Sequence, residues 1–193
     1  MKKSTKVVIA IIILIILIIV GVMIAKSIKS NEGNISNQVN ESTNKLSITT
    51  TEDMGNLIDK LYVGLEDVIP KSLMSSELDV SNSELIKTYT GLDNLEGIES
   101  IVVSEPMISS QAYSLILVKA DTSKRADEIA KLMNEKVNTN KWICVSAEKV
   151  YSTSSGNIAF LVMSSEEWAK PVYENFKKEA EQIGPEYERT ENL

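Results

Sequence analysis

Ser146 and Lys149, in Ser146-Ala147-Glu148-Lys149, have the S-x-x-K spacing that on a helix sets an amine one turn from a nucleophilic hydroxyl. The companion Ser-Asp-Asn and Lys-Thr-Gly elements of penicillin-binding enzymes are missing, and residues 146–149 read as the beginning of a strand. Carboxylates at Asp121, Asp127 and Glu128, or at Glu166 and Glu167, offer oxygen ligands to a hard cation such as calcium. No stretch matches an EF-hand loop, and acids at helix starts are explained by the helix dipole and by capping. Histidine is absent, which removes the usual general base of a Ser or Cys nucleophile and the common imidazole metal ligand. Cys144 is the single cysteine, so one chain forms neither an internal disulfide nor a Cys-based zinc site. Between Ile143 and Val145 it reads as a small core residue, or else as an exposed thiol coupling two chains. Trp168, Tyr89 and Tyr113 read as packing residues, and Trp142 is the freer aromatic. No catalytic, cofactor or metal residue is assigned, and the expectation is a protein that is not an enzyme. The alternative is an envelope hydrolase using carboxylates or the Ser146 and Lys149 pair.

Any such residues sit on a chain whose first part is built for lipid. Val7 to Ala25 is 19 residues without a charged or hydrogen-bonding side chain, and as a helix it would be about 28 Å long, close to a hydrocarbon core of roughly 30 Å. Fifteen of the 19 are Ile, Leu or Val, enough to favour insertion by several kcal/mol on the order of translocon scales. Their β-branching would suit a strand in water, but a single segment in lipid satisfies its backbone only as a helix. Lys2, Lys3 and Lys6 precede the run, and Lys26 and Lys29 follow it. With that charge pattern, residues 1–6 are expected as a cytoplasmic arm and the rest of the chain outside, a single-pass cell-membrane location. The run is too long for a cleavable signal peptide, and no cysteine follows it for lipoprotein processing.

Those five lysines belong to 20 basic residues in all, whereas all 27 acids lie beyond the run, starting at Glu32. The exported part is therefore strongly acidic and would repel nucleic-acid phosphates. Residues 26–52, rich in Ser, Asn and Thr, read as a polar stalk.

Residues 53–183 read as one α+β domain. Leu57, Leu61 and Leu65, with Ile58 and Val68, have helical spacing, and a short helix around Leu85 and Ile86 ends at Gly91. Ile98 to Val103 is a β-branched strand, and Ala112 to Ala120 is apolar on both alternating faces, as a strand covered on each side must be. Ala126, Ile129, Ala130, Met133 and Val137 line one face of a helix capped by Asp121 to Ser123. Strands at 148–153 and 157–163 flank Ser155-Gly156, and Trp142 to Val145 reads as a short strand or a connector. Ser164 to Glu167 has capping-box spacing before a last helix that buries Trp168, Val172, Phe176, Ala180 and Ile183. Residues 184–193 read as an acidic tail. The predicted framework is a mainly antiparallel sheet with packed helices in the order α-β-β-α-β-β-α.

Leu85, Tyr89-Thr90-Gly91-Leu92, Tyr113 to Lys119 and Gly156-Asn157 together resemble a clostridial family of domains of unknown function, numbered 4358. The likeness spans about residues 53 to 183. It implies a small envelope domain carried on a lipoprotein signal or a single helix, with no activity attached. The expected partners are the membrane, through Val7 to Ala25, and an unidentified envelope protein or peptide engaged by an exposed sheet edge or a face of the last helix.

Overall fold

The computed structural model describes residues 48–180 and 182–192. The expected arm 1–6, the span 7–25 and stalk residues 26–47 lie outside them, and among the described residues no helix is long and apolar enough to cross a membrane. Ten elements follow in order: α1 (Thr51–Tyr62), β1 (Leu73–Leu78), α2 (Ser83–Thr90), β2 (Ile98–Pro106), β3 (Ser114–Ala120), α3 (Ser123–Lys136), β4 (Lys149–Ser155), β5 (Ile158–Ser164), α4 (Glu166–Ala180) and β6 (Tyr187–Thr190). The strands make one antiparallel sheet in the order β1-β2-β3-β5-β4-β6.

The α+β class agrees with the sequence reading, but the element order gains a strand at each edge. β1 buries only Leu78 fully, so it carries no apolar alternation to announce it. β6, Tyr-Glu-Arg-Thr, falls in the stretch expected as an acidic tail and becomes a strand by pairing with β4, Val150 opposite Arg189. The short helix read around Leu85, absent from the expected order, is α2.

β3 is apolar on both faces because helices cover both. Leu115 and Leu117 pack with α1 and α4, through Met54, Leu57, Leu61, Val172 and Phe176. Ile116 and Val118 pack on the other face with α2 and α3, through Ile86, Ile129, Ala130 and Met133. Two cores therefore share one central sheet. Phe160 stacks on Phe176 at 4.2 Å between ring centroids, and Tyr151 on Tyr173 at 5.1 Å.

The helix starts are fixed by side chains that satisfy otherwise orphaned N–H groups. Thr50 Oγ1 accepts from the Asp53 N–H at 3.1 Å, and the Asp53 carboxylate accepts from the N–H groups of Thr49 and Thr50, each at 2.9 Å. Those donors, Thr49 first, hold the Asp53 carboxyl well below the usual range. Thr122 caps α3 as the sequence suggests, accepting from the Arg125 N–H at 3.2 Å. Ser164 does not cap α4: it is the last residue of β5, and its buried hydroxyl donates to the Ala112 carbonyl at 2.6 Å. Gly91 ends α2 at φ 73°, and a Cβ there would meet the Lys136 carbonyl oxygen at 2.4 Å. Only glycine fits both demands.

Candidate functional site

The two edges of the sheet differ in how they are protected. β6 is four residues long and carries paired charges: Glu188 meets Lys149 at 2.7 Å, and the Arg189 guanidinium donates to the carbonyls of Glu135 and Val137 at 2.8 Å each. β1 is six residues long, contains neither lysine nor proline, and pairs with β2 in unbroken register from Leu73–Pro106 to Leu78–Ile101. Met74, Ser75, Ser76 and Glu77 are all exposed. Its outer side has no strand partner among the described residues, so a row of backbone donors and acceptors faces outward.

Beside that edge lies a groove of about 270 Å³ between α1 and β1, lined by Thr51, Glu52, Gly55, Ser75, Ser76, Glu77 and Val102. Alternation places Leu73, Ser75 and Glu77 on the α1 side, because Glu77 pairs with Val102, which belongs to the core shared with α1 and α4. No residue of the sequence reading announced this site. The signal was a weak one, a six-residue segment after Pro70 whose apolar residues Leu73, Met74 and Leu78 do not alternate, and only its pairing with β2 identifies it.

A second polar constellation lies in the α3–β4 connection. Lys141 pairs with Glu105, lies 3.2 Å from the Ser114 hydroxyl, and sits over the rings of Tyr89 and Trp142 at 4.5 and 5.2 Å. Burial holds its amine below the ordinary lysine value, against the opposing pull of Glu105. A lysine beside a serine suggests nucleophilic chemistry, but Ser114 is 0% exposed and the Lys141 amine is held in an ion pair by Glu105. The cluster pins the connection to the sheet instead.

The sequence-predicted candidates are scattered. Lys149 points to Glu188 and to Thr190 Oγ1, at 2.7 and 2.8 Å, and residues 146–149 are not helical, so the S-x-x-K spacing does not set Ser146 one turn away. Asp127 accepts from the Ser154 hydroxyl, Glu128 pairs with Arg125 at 3.3 Å, and Glu166 pairs with Lys170 at 3.1 Å. Among the described residues no three Asp, Glu or Cys side chains gather as a metal group. Cys144, expected in the core, is exposed at φ 61°, because the connection turns outward at Ile143, itself 70% exposed. Tyr113 is fully buried as expected, while Trp142, Trp168 and Tyr89 are half-buried at the margins of the two cores.

No family model, curated protein or solved structure matches the chain.

Proposed function

We propose that this chain is a non-catalytic interaction module held outside a cell membrane by Val7 to Ala25, and that it engages an envelope protein or peptide along the β1 edge. The observation that carries the reading is the contrast between edges: β6 is short and charged, whereas β1 is longer, continuous and without an outer strand partner among the described residues. Isolated edges of that kind recruit extended segments by strand addition, with the backbone supplying affinity and alternate side-chain positions supplying selectivity. The anchor rests on the 19-residue apolar run and its flanking lysines. The motifs around Tyr89 and Tyr113 support kinship with the clostridial family numbered 4358 and attach no reaction to it.

The test places a photo-crosslinking amino acid at Ser76 in the full-length chain in intact cells, with the same group at Lys131 on the outer side of α3 as control. A discrete adduct from Ser76 that is absent from Lys131 is expected. No adduct at Ser76, or the same adducts at both positions, removes the reading. Protease added to the same cells should digest residues 48–193, and full protection would remove the outward location.

A further inference from the structure

Resting on the interaction reading, we infer that the segment taken up by β1 is an extended peptide with basic residues at alternate positions on its α1-facing side. Glu52 and Glu77 are exposed carboxylates at the groove between α1 and β1, and among the described residues neither is in an ion pair and no basic side chain lines that groove. In an added strand, side chains on one face recur about every 6.8 Å, so one opposite Glu77 lies against the carboxylate and its neighbours on that face continue along the groove. Lys or Arg at those positions meets a negative wall, and Glu or Asp is repelled from it. The acidic excess of the whole chain, net charge -7, steers the same class of ligand.

Gly55 supplies an independent observation. It lies inside α1, where glycine lowers helix stability relative to alanine, yet a Cβ there would have no atom within 4 Å, and its φ is not left-handed. No contact within the described residues requires a glycine. Its effect is to keep the α1 wall of the groove low where side chains of an added strand would pass.

The experiment uses the full-length chain in uncharged detergent micelles with the crosslinker at Ser76, and three synthetic nine-residue peptides in which Thr alternates with Lys, with Gln or with Glu. The Lys peptide should be captured at a concentration roughly tenfold below the Gln peptide, with the Glu peptide weakest, and Glu52→Lys with Glu77→Lys should invert that order. Gly55→Leu should abolish capture while leaving the thermal midpoint no lower than wild type. Equal capture of the Lys and Gln peptides, unmoved by charge reversal, overturns the basic preference and leaves strand addition standing. Undiminished capture by Gly55→Leu shows that the groove is not used and overturns the inference. Capture of the Lys peptide at Lys131 as strongly as at Ser76 overturns it as mere attraction to an acidic protein. Capture of no peptide overturns it too, and the in-cell adduct from Ser76 then judges the interaction reading separately.

Discussion

At Gly91 two constraints coincide, a left-handed φ of 73° and a Lys136 carbonyl oxygen 2.4 Å from where a Cβ would sit. Gly91→Ala is expected to lower stability by about 2 kcal/mol or more, since the strain of the conformation adds to displacement of a backbone neighbour. Urea unfolding checks it, and a loss below about 0.5 kcal/mol would show that the α2–α3 contact gives way easily. Tyr62 and Tyr113 set a limit at the alkaline end. Their hydroxyls are 3.2 Å apart, and burial pushes Tyr62 up to about 12 and Tyr113 well above the ordinary 10.0. Between pH 10 and 12 the folded chain keeps protons that the unfolded chain releases. Stability is therefore intact below the unfolded value of 10.0 and falls as pH rises through that window, by up to about 1.4 kcal/mol per pH unit for each tyrosine. Tyr62→Phe should make that decline shallower. Unfolding curves at pH 9, 10 and 11 decide it, and parallel losses in the two proteins would assign the alkaline limit elsewhere.

At the scale of an element, α1 shows how a helix can be well started and deliberately weak in its middle. The reciprocal Thr50 and Asp53 bonds fix its first turn, and Met54, Leu57, Ile58 and Leu61 fix its buried face. Gly55 contributes neither. Gly55→Ala is expected to stabilise the domain by about 0.5 to 1 kcal/mol, because open space surrounds the new methyl and the unfolded chain loses freedom. A raised denaturant midpoint with an unchanged slope is the expected reading; a lowered midpoint would mean that the α1 wall already touches something. Thr50→Ala should act in the opposite direction, lowering stability by about 1 kcal/mol through loss of the cap.

Across the whole molecule, stability should run from the sheet centre outward. β3 and β5 pair with each other and are almost wholly buried, whereas β1 exposes four consecutive residues and β6 is four residues long. Hydrogen exchange should therefore open β1 and β6 well before β3 and β5. Protection of β1 equal to that of β3 in the isolated chain would mean that the edge is already covered, and would remove it as a free docking site. The sequence by itself determined the elements that carry a strong period: the apolar spacing of α3 and of α1 as far as Leu61, although α1 ends at Tyr62 and does not run on through Leu65 and Val68, the doubly apolar run of β3, a cap among Asp121 to Ser123 and the helix stop at Gly91. These are local, since a helix face or a covered strand writes its burial into consecutive residues. It also determined the chemistry to be left aside, because a chain without histidine and with one cysteine lacks the commonest catalytic and metal-binding side chains. Only the tertiary structure decided that β1 and β6 are strands, that Cys144 is exposed, and that Lys141 meets Glu105 and Ser114. Each depends on partners far along the chain, such as Val102 for Glu77 and Val150 for Arg189. An edge strand buries too little to show a pattern of its own, so the site proposed here came from pairing, which residue spacing does not encode.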